Sequence, residues 1–439
     1  MVPALAAALV LVASVPAAAA PGPTGAPEYW FDAWQVERLW ADGAHGQGVT
    51  IAEIDTGVNA ALPELAGRIL SGTDLGAGGN GQTDREIDQF GHGTAMASIM
   101  VARPGTLDIT GLAPDAKVLP VAVPLDGTTD AGRPDRLDDA VRYAADHGAK
   151  IISMSVGGKR LPSDGAPCSP EEQAAVFHAL AKGAIVIAAV GNTGPTQNTV
   201  EEPASCLGVV SVGAVDRSGS VARFSGRQPY LSMVAPGVNI PSLGRVPGQA
   251  YSGDGTSQAT ALVSAAAALV WSKYPTLSGR QVVTRLLQTL DDRRSPPGPD
   301  YGYGRLNAYA AVTAAVPANA PNPVYDRSGP FQQRADSFAK GSGLTAPAPA
   351  ARGAGDTGDY RVGAAPGLNR AAYLGAGAAV IGVAALVVLW TVGVRRRRAR
   401  RAFAAAGPWA VGWPPPPPAV APTGERPRPR PGPVPPPVE

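Results

Sequence analysis

The chain has 439 residues, of which 45% are hydrophobic and 16% are charged, so it can fill the core of one large domain or two ordinary ones. Its formal charge of +2 is unevenly distributed, because residues 395–439 carry +7 and leave −5 for residues 1–394. The positive charge is confined to a short tail, which argues against a nucleic-acid-binding face.

The N-terminal residues 1–20 predict a signal peptide. An apolar run over 3–20 ends in small residues that suit signal peptidase. No Lys or Arg precedes this run, and an unstructured Ala-rich tail is the alternative interpretation. Residues 21–47 follow as a short N-terminal extension.

Residues 48–316 alternate short apolar runs with helix-like stretches. The apolar runs are bounded by Gly, Pro or Asn and are predicted as buried strands: 48–55, 117–124, 149–156, 184–191 and 208–215. Helices are predicted at 136–148 and 169–183, the second starting with the capping-box spacing of Ser169 and Glu172. This alternation predicts an α/β fold with a mostly parallel sheet flanked by helices, whose active site lies beyond the carboxyl ends of the strands.

The C-terminal third has a different composition. Residues 317–372 are rich in Pro, Ala and Gly and predict a linker. Residues 373–394 carry no charge over a length sufficient to cross a bilayer, and the Arg-rich run that follows predicts a transmembrane helix whose C-terminal side is cytoplasmic. A buried helix of a soluble protein is the alternative. Residues 395–439 form a basic, Pro-rich tail, either solvated or docked to a proline-binding partner.

The two cysteines, Cys168 and Cys206, predict a disulfide if the domain is exported. It would close a loop of about 38 residues and stabilise the fold by roughly 3–4 kcal/mol. Two free buried thiols are the alternative, and a metal site is disfavoured because no His pair accompanies them.

Four polar residues lie where a predicted strand passes into a following segment. Asp55 ends a strand in "IDTGV", His92 lies in "FGHGT", Asn192 follows "AAVG" and Ser257 begins a helix in "GTSQAT". Ser257 could attack a carbonyl if His92 took its proton, with Asp55 fixing the imidazole tautomer. Asn192 could donate its amide to the developing oxyanion.

Each motif also has a plainer interpretation. Asp-Thr-Gly and Gly-Asn often form turns, a His after Gly can be a loop residue, and Ser before an Ala-rich run is an ordinary helix cap. Together, in the order Asp, His, Ser and with glycines around each, the motifs favour catalysis.

These motifs resemble those of subtilisin-like serine proteases, the subtilases, over about residues 35–316. The resemblance implies a three-layer subtilisin-like fold and serine endopeptidase activity, with Asp55, His92 and Ser257 as the triad and Asn192 in the oxyanion hole. It also implies that Ser155, Val156 and Gly157 pair with the substrate backbone as an added strand. No cofactor is required; structural calcium is common among subtilases, but no acidic loop here identifies a site, and no metal ligand is assigned.

The layout of signal peptide, protease, linker, single span and short cytoplasmic tail is similar to that of the mycosins, membrane-anchored subtilases of type VII secretion. The resemblance implies a protein or peptide substrate, a place in the cell membrane with the protease domain outside the cytoplasm, and a secretion complex as partner. A fold-retaining scaffold that stabilises such a complex, or a general surface subtilase, is the alternative.

Three features depart from the family pattern. Ala261 stands where a proline is usual, and Gln89 and Phe90 lie where mycosins usually have a further cysteine. Glu53 lies two residues before Asp55 on the same face of the predicted strand, at a position that is normally apolar. It either pairs with a cation or raises the pKa of its neighbour through like charge.

Overall fold

The computed structural model describes residues 28–86, 90–105, 107–124, 136–159 and 168–326. The predicted signal peptide, transmembrane helix and tail, and the linker beyond residue 326, lie outside this part of the chain. No helix within the described ranges combines the length and the apolar character needed to span a bilayer.

The strands of the described residues, numbered in chain order, are mostly short. They are β1 Thr50–Asp55, β2 Thr73–Asp74, β3 Lys117–Ala122, β4 Ile151–Met154, β5 Gly158–Lys159, β6 Ile185–Ala189, β7 Glu201–Glu202, β8 Val209–Val215, β9 Met233–Pro236, β10 Ile240–Leu243 and β11 Ala250–Gly253. The five strands predicted from apolar runs are all present, each as long as the prediction or shorter.

Seven of these strands form one parallel sheet in the order β2-β3-β1-β4-β6-β8-β9. Two antiparallel pairs, β10 with β11 and β5 with β7, lie outside it. Because β1, β4 and β6 are neighbours at the centre of the sheet, their carboxyl ends lie side by side at the same end of its strands.

The helices cover both faces of the sheet, as the alternating sequence pattern predicts. They are α1 Trp30–Ala33, α2 Val36–Ala41, α3 His92–Val101, α4 Leu137–Asp146, α5 Pro170–Ala181, α6 Thr256–Lys273, α7 Gly279–Gln288 and α8 Ala308–Thr313, with a 3₁₀ turn at Pro63–Leu65. Helices α3 and α6 pack in the larger core on one face, whereas α4 and α5 pack in the smaller core on the other. The predicted fold class, a mostly parallel sheet flanked by helices, is confirmed.

Side-chain alternation along β1 shows how the sheet supports both cores. Ile51 belongs to the core on the α3 and α6 face, whereas Ala52 and Ile54 belong to the core on the opposite face. Glu53 and Asp55 share the face of Ile51 because successive side chains in a strand alternate. Two carboxyl groups therefore point from β1 toward the side of the sheet that carries α3 and α6.

The predicted capping box at the start of α5 is wrong. Ser169 makes no side-chain cap hydrogen bond; its hydroxyl instead donates to the Glu202 carboxylate at 3.1 Å. The Ser169 side chain therefore bonds to Glu202 of β7 instead of capping α5. A complete capping box occurs in α7, between Ser278 and Gln281.

The described part of the predicted linker packs against the folded domain. Asn322 is fully buried and donates to the Arg280 carbonyl oxygen at 3.1 Å, and Val324 is 2% exposed. Arg280 belongs to α7, so the packed structure continues past residue 316.

Candidate active site

The sheet brings the predicted site residues together at the carboxyl ends of its strands. Asp55 is the last residue of β1, Ser155 directly follows β4, and Asn192 lies three residues beyond β6. His92 is the first residue of α3 and Ser257 the second of α6. All five therefore meet at the carboxyl ends of three neighbouring central strands, where α/β sheets commonly hold active sites.

Asp55 and His92 form a direct hydrogen-bonded pair. His92 Nδ1 lies 2.7 Å from Asp55 Oδ1, which also accepts the backbone N–H of Thr56 at 2.8 Å. Asp55 is fully buried, while the imidazole is 28% exposed. A buried carboxylate at Nδ1 favours the tautomer that leaves Nε2 free to accept a proton.

A second buried carboxylate holds the two elements of this pair together. Asp84 is 3% exposed; its Oδ1 accepts the Thr56 hydroxyl at 2.9 Å and its Oδ2 accepts the Thr94 hydroxyl at 2.6 Å. Thr56 follows β1 and Thr94 lies in the first turn of α3. Asp84 therefore ties the end of the Asp55 strand to the start of the His92 helix, a role that the sequence did not reveal.

The negative charges around His92 determine its protonation. Burial lowers the pKa of the imidazole, but the charge and hydrogen bond of Asp55, followed by the charges of Glu86 and Asp84, outweigh burial and raise this pKa to about 9. The Glu86 carboxylate also accepts the backbone N–H of His92. The free site thus stabilises the imidazolium, the form that a histidine takes when it acts as a base.

Ser257 is held at the positive end of a long helix. It is 7% exposed and lies at the N-terminus of the 18-residue α6, where the helix dipole and unpaired N–H groups favour negative charge. Its hydroxyl donates to the Ser155 carbonyl at 2.8 Å, and the Ser155 hydroxyl donates back to the Ser257 carbonyl at 3.1 Å. Ser257 and His92 line the same cleft, so attack requires the hydroxyl to turn from Ser155 toward the imidazole. Catalytic hydrogen bonds often tighten only when substrate is bound.

Asn192 has a defined orientation. Its Oδ1 accepts both the backbone N–H and the hydroxyl of Thr256, each at 3.0 Å. The amide nitrogen is consequently the group left to donate. Thr256 directly precedes Ser257, so this donor is fixed beside the serine that would carry the reacting acyl group.

The segment Ser155–Gly157 lines the same open cleft, whose volume of about 1050 Å³ includes solvent. It extends beyond β4, a central strand, and continues into β5. These residues are therefore not part of an edge strand of the main sheet. Their position beside Ser257 and Asn192 suits backbone pairing with a bound peptide.

Glu53 meets no cation in the part of the chain that the structure describes. It is 2% exposed, and among these residues neither of its carboxyl oxygens has a side-chain hydrogen-bond partner. Burial raises the pKa of Glu53 well above its usual value, and the charges of Asp55 and Asp84 add to this effect. Burial and like charge therefore favour the neutral form of Glu53, and pairing with a cation, one of its two predicted roles, is not observed among the described residues.

A disulfide joins Cys168 to Cys206, in agreement with the prediction. Cys168 lies just before α5, and Cys206 lies between β7 and β8. The adjacent Ser169 N–H donates to the Glu202 carboxylate at 2.7 Å. The disulfide thus secures the start of α5 to the chain around β7, which borders the cleft. The described ranges contain no group of three or more acidic, His or Cys side chains arranged to hold a metal ion.

Several residues that line the cleft had no role predicted from the sequence. Glu86, Lys159 and Glu201 contribute charges to it, and Thr256 fixes Asn192. None of the three charged residues lies in a motif that marks a strand end. Their place in the cleft depends on pairings, such as β5 with β7, that the sequence pattern does not show.

This fold, with Asp, His and Ser side chains meeting at one edge of a parallel sheet, is the arrangement expected of a serine hydrolase. The profile of the subtilase family (Peptidase_S8) matches residues 46–305. Subtilisin DY of Bacillus licheniformis is 34% identical over 281 residues, which are 63% of this chain and 96% of the relative.

Among solved structures, the MycP3 protease from the type VII (ESX-3) secretion system is similar, with a TM-score of 0.58 and 31% identity over 67% of this chain and 90% of that chain. The periplasmic assembly from the ESX-5 inner membrane complex gives a TM-score of 0.55 at 26% identity, over 69% of this chain and 87% of that chain. The chain belongs to the subtilase family and is a serine endopeptidase of the subtilisin type.

Proposed function

We propose that this protein is a membrane-anchored, extracytoplasmic serine endopeptidase that uses Asp55, His92 and Ser257 as its triad and Asn192 as its oxyanion donor. The observation that carries the assignment is the hydrogen bond between Asp55 and His92 Nδ1 in a cleft that also contains Ser257.

The reaction proceeds through an acyl-enzyme. His92 Nε2 takes the Ser257 hydroxyl proton as the oxygen bonds to the scissile carbonyl carbon, and the imidazolium then gives that proton to the leaving amine as the C–N bond breaks. Water, deprotonated by the same imidazole, hydrolyses the ester and restores the serine. Asp55 stabilises the imidazolium in both halves of the reaction.

The oxyanion is held by two donors. The Asn192 amide nitrogen is oriented by Thr256, and the backbone N–H groups at the start of α6 lie beside the Ser257 side chain. Donors that are fixed before the reaction stabilise developing charge without reorganising. In subtilisin itself, the established example of this effect, loss of the oxyanion-hole amide reduces turnover about 100- to 1000-fold.

The proposed location rests on the sequence beyond the described residues. A signal peptide over 1–20 places the protease domain outside the cytoplasm, a linker follows it, and the uncharged segment 373–394 anchors it. The basic residues 395–439 remain inside. Similarity to proteases of type VII secretion supports a role in such a system.

Labelling with a fluorophosphonate tests the catalytic assignment. Ser257→Ala removes the nucleophile, so the full-length variant should lose labelling while retaining its unfolding transition. Exposed Ser218, whose hydroxyl bonds within the loop that contains Asp216 and Ser220, supplies the control Ser218→Ala, which should label like the unmodified protein. Undiminished labelling of Ser257→Ala would overturn the triad.

A scaffold role is the second candidate, supported by the similarity to a chain in the ESX-5 periplasmic assembly. The two roles are separated by measuring how well the Ser257→Ala gene and the unmodified gene restore secretion in a strain that lacks the gene. Rescue by Ser257→Ala equal to that of the unmodified gene would favour the scaffold. Rescue only by the unmodified gene would favour proteolysis.

A further inference from the structure

The cleft that contains Ser257 is also lined by a carboxylate, that of Glu201. Two chain segments contribute to its lining together with Ser257, and we call them its two walls: Ser155–Gly157, and the second segment with Ala189, Gly191 and Asn192. Glu201 of β7 lines the same cleft. A Cβ added to Gly191 would lie 2.6 Å from Glu201 Cγ and 3.2 Å from Oε1, so the acidic side chain packs directly on the second wall.

The other wall fixes the backbone of Glu201. Strand β5 directly continues the Ser155–Gly157 segment, and its Lys159 pairs with Glu201 in the antiparallel β5–β7 ladder. The Glu201 backbone N–H donates to the Tyr230 hydroxyl at 3.1 Å, and the Thr199 hydroxyl donates to Oε1. Glu201 is therefore positioned between both walls by backbone and side-chain contacts.

The charge of Glu201 is not neutralised by an ion pair within the described residues. Its side chain is partly buried, and the exposed Lys159 lines the same cleft. Burial raises the pKa of Glu201, whereas its hydrogen bond with Thr199 and the charge of Lys159 lower it. A partly desolvated carboxylate attracts a cation more strongly than one in open water.

We propose that Glu201 makes this part of the cleft select a lysine or arginine side chain on the residue that contributes the scissile carbonyl. This specificity rests on the proposed function, because it requires the substrate carbonyl to lie at Ser257 and its backbone along Ser155–Gly157. The side chain of that residue then enters between the two walls. A long cationic side chain reaches Glu201, whereas an apolar one leaves the carboxylate without a partner.

The test compares kcat/KM of the full-length protein for peptides that differ only at the residue contributing the scissile carbonyl: Lys, Arg, Leu or Glu. Lys and Arg should be preferred over Leu by at least about 10-fold, since a charged hydrogen bond commonly contributes that much. Glu201→Gln should reduce the Lys/Leu ratio roughly 10- to 100-fold. Glu201→Lys should reverse the preference toward Glu.

The matched control is Lys159→Gln, which removes the opposite charge at the paired position of the same ladder. It should leave the Lys/Leu ratio unchanged or increase it, because a competing ammonium is lost. A fall in the ratio as large as that of Glu201→Gln would overturn the proposal. So would a preference of the unmodified protein for Leu or Glu.

The pH dependence of the Lys/Leu ratio provides a test on the unmodified protein. Acid pH protonates Glu201, so the ratio should fall as the pH is lowered, while the protonation of His92 affects both peptides equally and cancels. A constant ratio from acid to alkaline pH would contradict the proposal. Fluorophosphonate labelling in parallel separates the two hypotheses: normal labelling with no basic preference overturns this inference alone, whereas absent labelling overturns the proposed function as well.

Discussion

Acidic side chains dominate the surroundings of His92. Asp55 contacts the ring directly, and Glu86 and Asp84 add further negative charge. This negative charge stabilises the imidazolium, and it also raises the pH up to which His92 stays protonated in the free protein. With His92 as the proposed base, the carboxylates that would stabilise its imidazolium therefore limit the pH range in which the reaction can begin.

We expect kcat/KM to rise with pH and to be half-maximal near pH 9, because His92 must be neutral to accept the Ser257 proton and its pKa is raised to about 9. Stopped assays with a neutral peptide over roughly pH 6–10 would measure the profile. A flat profile over this range would contradict the assignment of His92 as the base.

Glu86→Gln removes one of the negative charges that raise the pKa of His92, so its profile should shift to lower pH. The amide oxygen can still accept the His92 N–H. Glu37→Gln, at an exposed carboxylate of α2 that is not among the charges acting on His92, is the matched control and should retain the original profile. An upward shift in Glu86→Gln would contradict this account.

At the scale of elements, the main strands could be predicted because they are buried on both faces. Such strands form nearly continuous apolar runs, as in Ile185–Ala189 and Val209–Val215. Two-residue strands such as Glu201–Glu202 carry no periodic pattern. Their pairing depends on the ends of longer elements, so the position of Glu201 in the cleft required the structure.

Contacts between distant segments were equally inaccessible to sequence patterns. Asp84 bonds to Thr56 from 28 residues away, and Ser169 bonds to Glu202 across 33 residues. The proposed triad residues could be singled out because each lies in a local motif at a strand or helix end. Asp84, which joins the end of β1 to the start of α3, lies in no such motif, because only tertiary packing brings it to Thr56 and Thr94.

The disulfide should contribute strongly to the stability of the domain. Replacing both Cys168 and Cys206 with Ser should lower the free energy of unfolding by about 3–4 kcal/mol, because the unfolded chain regains the freedom of a loop of about 38 residues. Urea unfolding in the Ser257→Ala background, which prevents self-digestion, would measure the difference. Reductant should lower the urea midpoint of the Ser257→Ala protein but not that of the protein that also has both cysteines replaced. Equal urea midpoints for these two proteins without reductant would contradict the prediction.

At the scale of the whole molecule, the membrane anchor stays a prediction from residues 373–394. The full chain should remain in the membrane pellet after carbonate extraction, because removing an uncharged span of this length from lipid is strongly unfavourable. A chain ending at residue 372 should appear in the soluble extracytoplasmic fraction. Extraction of the full chain by carbonate would contradict the anchor, and loss of the truncated protein's fluorophosphonate labelling would indicate misfolding instead.

The raised pKa of Glu53 makes the stability of the folded protein depend on pH. Its pKa is raised in the folded state, so above the ordinary value of 4.5 the unfolded chain releases this proton first and unfolding becomes easier as the pH rises. The slope is about 1.4 kcal/mol per pH unit until the folded carboxyl also ionises. His92 acts in the same direction between about 6.5 and 9, because its extra proton is held only by the folded state. With His92 as the proposed base, a rise in pH toward about 9 deprotonates it for catalysis and also lowers the stability of the folded protein. The pH of longest working life should therefore lie below the pH of highest initial rate.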